Sequence, residues 1–245
     1  MNRFGMGLLL VGAVFTSCAP RAQQGQGNAS PGALFEKARI AHNASVLEAL
    51  KTYRDSGTLD IFQNGQVAAQ GSYVQKYDLA AGVVRIEISL NNQLAVVQQA
   101  SSTEAWQWVA NTGLTNLSPA EAKALRDARY QFPFNLRAKA SDLTELTYDG
   151  RVEISKGVTG DSISFKLNGA ENNLVIADDG VVLGSQVDTD GTLTTSLLSD
   201  NRSVQGVRLP FGIKINVGNQ PLTDQKIQTV QFNPVFTAAD FARPQ

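Results

Sequence analysis

The chain has 245 residues, 42% of them hydrophobic and 18% charged, with 21 Lys and Arg against 22 Asp and Glu and a formal net charge of −1. A near-neutral chain without a run of like charges gives nucleic acid no electrostatic footprint and an anionic membrane surface no polybasic patch. One cysteine and one histidine exclude an internal disulfide and argue against a transition-metal site or His-based catalysis, so neither metal nor cofactor is expected.

The amino terminus carries Arg3, an apolar run from Phe4 to Phe15, and Thr16-Ser17-Cys18. A positive charge followed by about a dozen apolar residues is too short to span a bilayer and has the build of a signal-peptide core. Small residues before Cys18 resemble a bacterial lipobox, with Phe15 standing where Leu is usual. The expectation is a signal peptide over 1–17 and acylation of Cys18, the lipid anchor and membrane contact. Residues 19–30 are rich in Gln, Gly, Ala and Ser, a composition that cannot bury enough apolar surface to order itself, so 18–30 reads as anchor plus tether. Ala19, not Asp, follows the cysteine; this favours the periplasmic face of the outer membrane in a host with two membranes.

The remaining residues, 31–245, read as one domain. Ser30-Pro31 opens a helix, with a hydroxyl residue at the cap and proline at the first helical position. Leu34, Ala38 and Ala41 continue it, His42-Asn43 interrupts it, and Val46, Leu47 and Leu50 resume it. Beyond Thr52 the period becomes two. Asn64-Gly65 is a strong hairpin signal between Leu59–Ile61 and Gln66–Asp78. Val84, Ile86, Ile88 and Leu90 alternate with polar residues, the mark of an antiparallel sheet with one wet face. A turn at Asn91-Asn92 leads to 94–100, and a Trp-bearing strand covers 104–109. Ser118-Pro119-Ala120-Glu121 then starts a second helix with a capping box, running to about Tyr130.

From Leu143 the chain is nearly all strand, in segments 144–155, 161–168, 171–177, 181–189 and 192–200 separated by Asp- and Gly-bearing turns. Val207, Leu209, Phe211, Ile213, Ile215 and Val217 share one parity, and Pro210 on the other parity implies an edge or a bulge. The reading is a mainly β domain of ten or eleven antiparallel strands with a few helices. Two helices covering so broad an apolar face leave part of it open, which predicts a cavity. Its candidate lining is Val84, Ile86, Ile88 and Leu90 on one strand, and Leu209, Phe211, Ile213 and Ile215 on another.

No G-x-S-x-G, S-x-x-K, H-E-x-x-H or Gly-rich phosphate loop is present, so no residue is assigned a catalytic role. His42 reads as a surface or helix-end residue, Trp106 and Trp108 as core, and Asp178-Asp179 and Asp188-Thr-Asp190-Gly191 as hairpin turns and not a Ca²⁺ loop.

Three stretches carry a family resemblance. They are Leu50-Lys51-Thr52-Tyr53-Arg54 before Gly57-Thr58, the Trp106-to-Arg129 piece with Leu117-Ser118-Pro119-Ala120-Glu121, and Gly206–Phe211 followed by Val230–Pro234 and Asp240–Pro244. Together they resemble the LolA/LolB-like superfamily of envelope proteins, in particular lipoprotein-sorting members. The resemblance implies a single curved antiparallel sheet forming an unclosed half β-barrel, covered by helices. It also implies a hydrophobic cavity for a lipid or the acyl chain of a lipoprotein, with an envelope protein as a further partner. Leu114 and Leu117 are the candidates for the exposed apolar loop of the acylated receptor. The leading expectation is an anchored, non-enzymatic carrier or receptor in lipoprotein sorting or lipid transport. The alternatives are an envelope sensory or interaction module with a self-filled cavity and, third, an envelope hydrolase.

Overall fold

A computed structural model describes residues 30–189 and 191–244; the signal segment, Cys18 and the tether up to residue 29 lie outside them, as does Asp190. Two short helices come first, α1 (Pro31–Ala41) and α2 (Ala44–Glu48). Asn43, in the left-handed region at φ 52°, breaks them apart, where the sequence periodicity pauses. Pro31 starts α1 as expected, although the Ser30 hydroxyl makes no capping bond.

The first run of strands is β1 (Thr52–Gln63), β2 (Gln66–Asp78), β3 (Val83–Leu90), β4 (Gln93–Ala100), β5 (Ala105–Val109) and β6 (Gly113–Asn116). Then come α3 (Pro119–Asp127) and three 3-10 turns, Ala128–Tyr130, Phe134–Arg137 and Ala140–Asp142. The second run is β7 (Thr144–Ser155), β8 (Val158–Leu167), β9 (Ala170–Ile176), β10 (Val182–Thr189), β11 (Thr192–Val204), β12 (Val207–Val217) and β13 (Gln220–Phe232). The expected strand count was low: β6, read as loop, is a short edge strand, and β13 completes the sheet. In α3 the capping box forms, with the Glu121 amide donating to Ser118 Oγ at 3.3 Å and the Ser118 amide to Glu121 Oε2 at 2.8 Å. These bonds hold the Glu121 carboxyl below its usual pKa.

All thirteen strands form one antiparallel sheet in the order β6-β5-β4-β3-β2-β1-β13-β12-β11-β10-β9-β8-β7. It consists of two meanders joined where β1 pairs with β13. The sheet does not close, and its two edge strands, β6 and β7, are neighbours in sequence. Residues 117–143 must therefore run from one edge of the sheet to the other, and they do so across its apolar face.

Close approach at two glycines helps the sheet curl. At the β1–β13 bulge, a Cβ on Gly57 would lie 2.0 Å from the Lys226 carbonyl oxygen. On β10, a Cβ on Gly184 would lie 1.8 Å from that of Ser196, at a φ of +149°. Only a residue without a side chain fits such contacts. Turns adopt the geometry their residues favour: Asn64 and Gly65 both have positive φ, at 52° and 75°, as a type I′ hairpin requires.

The β12–β13 ladder begins only at Gly212–Lys226, so residues 207–211 pair with β11 alone. Pro210 lies in this unpaired-edge half, where its missing N–H costs no ladder bond. The α1–α2 elbow docks onto that same edge: the Arg208 amide donates to the His42 carbonyl at 3.3 Å, and Asn43 Nδ2 to the Gly206 carbonyl at 3.1 Å.

His42 is a correction to the sequence reading. It stands at the carboxy-terminal end of α1, as read, with its amide donating to the Ala38 carbonyl at 3.0 Å, but it is fully buried and not on the surface. Its Nδ1 lies 2.6 Å from the Arg208 carbonyl oxygen, and its Nε2 accepts the Val182 amide at 3.0 Å. Those partners define a neutral ring with the proton on Nδ1, bracing β10 against β12. Burial lowers its pKa, against the Arg208 carbonyl bond that favours the charged form.

Trp106 is buried as expected, but on the other face of the sheet, away from the main core. There the carboxy-terminal segment covers it. Arg85 donates to the Ala242 carbonyl at 2.9 Å, Lys76 to that of Asp240 at 3.2 Å, and Arg243 pairs with Glu104 at 2.8 Å. The guanidinium groups of Arg85 and Arg243 lie 5.7 and 5.8 Å from the Trp106 ring centre.

Candidate functional site

Inward parity decides what each strand offers to the concave face. On β3, Val84, Ile86 and Ile88 belong to the core, with Leu90 packed against it. Above them, α3 lays down its buried residues Ala122 and Leu125 and is followed by Ala128. That half of the concave face is therefore packed against α3. The four β3 candidates face inward as anticipated, but α3 packs against β3 and β4 and none of the four lines the cavity beneath the rest of the crossover.

An open space lies beneath residues 128–135 of the crossover, against β1, β2 and β9–β13. It is a cavity of about 130 Å³. Leu209, Ile213 and Ile215 are on its wall, whereas Phe211 is packed in the core with the Arg202 guanidinium 4.5 Å above its ring. The roof is aromatic. Phe134 sits 5.1 Å from Tyr53 and 4.7 Å from Tyr77, and Phe132 packs edge-on at 5.2 Å against His42. The crossover is thus held by ring contacts at the seam between the meanders and by the same histidine that braces β12.

Sequence reasoning missed the polar residues in this wall. Asp55 on β1 lines the cavity, is 6% exposed, and has no partner for Oδ1. Burial pushes its pKa up to about 7, while the neighbouring Tyr53 hydroxyl favours the charged form. In turn, burial together with the nearby Asp55 raises the pKa values of Tyr53, Tyr73 and Tyr77, so their hydroxyls stay neutral. Asn135 Oδ1 and Ser185 Oγ, from the roof and from β10, are also buried without partners, and both residues line the cavity. Parity could have found Asp55: Tyr53, Asp55, Gly57 and Leu59 alternate inward along β1, and an acid in that series is out of place.

Of the two exposed-loop candidates, Leu114 is 44% exposed but lies on edge strand β6 instead of a loop. Leu117 is 8% exposed and is a correction. It belongs to the core at the start of the crossover, because the Leu117 amide bonds back to the Ala105 carbonyl at 3.2 Å and pulls the segment inward. The Asp-bearing turns use their acids as expected. Asp179 and Asp188 accept the amides of Val181 and Gly191 at 3.1 and 2.8 Å. Among the described residues no group of three or more His, Cys, Asp or Glu could hold a metal ion, and no helix is long and apolar enough to cross a membrane.

No family model and no curated protein matches the chain. Solved structures do. A DUF1329 family protein from Desulfovibrio piger superposes with a TM-score of 0.58 at 10% identity, covering 87% of this chain and 98% of that one. A LolA superfamily protein from Nitrosomonas europaea does so with a TM-score of 0.52 at 9% identity, covering 88% and 98%. The chain has a LolA-like fold.

Proposed function

We propose that this chain is an envelope lipoprotein, anchored through Cys18, that binds a lipid or the acyl chain of a lipoprotein beneath the 128–135 roof and serves in lipoprotein sorting or lipid transport. The observation that carries the reading is the cavity itself, which lies between an unclosed sheet and a strand-free segment obliged by topology to cross it. The LolA-like fold and the lipobox-like amino terminus agree with it.

At about 130 Å³ the space falls short of the roughly 300 Å³ at which small-molecule sites begin. A long chain therefore enters only if the roof yields, and Phe134, in ring contact with Tyr53 and Tyr77, is the roof side chain that would move aside. Burying a phenyl ring is worth about 1.5–3 kcal/mol, and each buried methylene about 0.8. Roughly four methylenes offset the ring, and longer chains gain with each further carbon. Binding should therefore strengthen with chain length above a threshold.

The test is native mass spectrometry of the gently purified chain, with Nile red titration and displacement by alkyl chains of increasing length. A bound apolar species, or chain-length-dependent displacement, is expected. A protein free of lipid that takes up no probe would leave the second reading, an envelope interaction module. The aromatic roof and the small volume favour that reading, since they are what a self-filled interior would show.

A further inference from the structure

The cavity is apolar over most of its wall, yet it holds three buried polar side chains with an unpartnered atom each: Asp55 Oδ1, Asn135 Oδ1 and Ser185 Oγ. Two of these are acceptors. A carboxyl oxygen buried without a partner is costly even with the Tyr53 hydroxyl beside the group, and an apolar residue of similar size would pack there at no such cost. Orphaned groups in a native interior call for an explanation, and a ligand that supplies the missing donors is one. The cavity wall contains no Lys or Arg among the described residues, so a carboxylate or phosphate head would meet Asp55 with nothing to neutralise it. The rings of Tyr53 and Tyr77 on the same wall suit a cation, which aromatic faces attract.

Resting on the reading above, we propose that the cavity selects an amphiphile whose head group donates hydrogen bonds, an ammonium or a hydroxyl, to Asp55, and that it discriminates against free fatty acids. Asn135 from the roof supplies a second acceptor, which would couple occupancy of the polar site to closure of the crossover.

The test uses the full chain held in zwitterionic lipid nanodiscs, with empty nanodiscs as the blank. Octylamine, octan-1-ol, octanoate and octyl methyl ether are each titrated by calorimetry. The amine and the alcohol should bind at least tenfold more tightly than the ether and octanoate. Asp55→Leu should remove the advantage of the amine and the alcohol over the ether, bringing those three within about threefold of one another. Asp55→Asn, which keeps a carbonyl acceptor and is the second variant where Leu impairs folding, should retain the alcohol and lose the advantage of the amine. Equal wild-type affinities for all four, or an advantage of the amine and the alcohol over the ether that survives Asp55→Leu, would overturn the proposal while leaving chain binding standing. Failure of all four to bind would overturn the cavity reading and the proposal together.

Discussion

The two meanders share one sheet but are finished differently. Over β3 and β4 the concave face is packed core, with Ile86 and Ile88 in one cluster with Ala122 and Leu125 of the covering helix α3. Over β10–β13 and the β1 seam the same face carries Ser185, Ser196, Gln225 and Asp55 among its aliphatic residues, and the crossover roofs it without filling it. The difference traces to the connection. Where residues 117–143 form a regular amphipathic helix, its apolar stripe matches the strand face. Where they turn into short 3-10 segments around Pro133, large rings reach down singly and leave a gap. A helix seals a sheet, whereas irregular chain only covers it.

The largest expected effect comes from charging each half in turn. Ile86→Asp places a carboxylate in the sealed half, a cost of several kcal/mol against a typical total of 5–15. It should abolish the cooperative thermal transition seen by circular dichroism. Ile213→Asp, on the cavity wall, should keep that transition and lose Nile red binding at least tenfold; equal damage from both would erase the distinction between the halves. Smaller but graded is Leu125→Ala, expected to cost about 2–5 kcal/mol in urea unfolding as a cavity opens in packed core. Ile215→Ala, already at a space, should cost less than about 1 kcal/mol.

Two pH effects sharpen the picture of the cavity and its brace. Asp55 has a raised pKa in the folded chain, about 7 against 3.8. Its contribution to stability is thus fully present below about pH 4 and is lost as pH rises through 7. Asp55→Asn should accordingly stabilise the protein by up to about 4 kcal/mol at pH 8 and lose that advantage near pH 4. His42 works in the opposite sense. Its pKa is depressed, so its contribution is full above the ordinary value of 6.5 and declines as pH falls below it, when an added proton on Nε2 would face the Val182 amide. Unfolding at pH 7 and pH 5 should show the stability gap between wild type and His42→Ala narrowing at the lower pH, by less than the Asp55 effect.

Much of the frame was legible in the sequence because it obeys single-parity rules. Val84 to Leu90 and Val207 to Ile213 point inward as their alternation implies, and Asn64-Gly65 turns where its φ preferences allow. The site was less legible, since parity says which face a side chain joins and not what will lie above it. Val84, Ile86, Ile88 and Leu90 were plausible cavity residues until α3 was seen to cover them. Leu117 looked exposed among polar neighbours until its backbone bond to Ala105 drew it inward. His42 gave no local signal, because its partners Val182 and Arg208 are 140 and 166 residues away. Asp55 was visible by parity, but it gained meaning only once the cavity had a location.

The central claim is that an apolar chain binds beneath the crossover on the β10–β13 side. A crystal structure of the protein soaked with a bromine-labelled alkyl chain tests it most directly, since the anomalous signal marks the chain without assumption. Bromine is expected among Leu209, Ile213 and Ile215, with Phe134 displaced from Tyr53 and Tyr77. Bromine between α3 and β3, or only on the outer surface near Leu114, would contradict it.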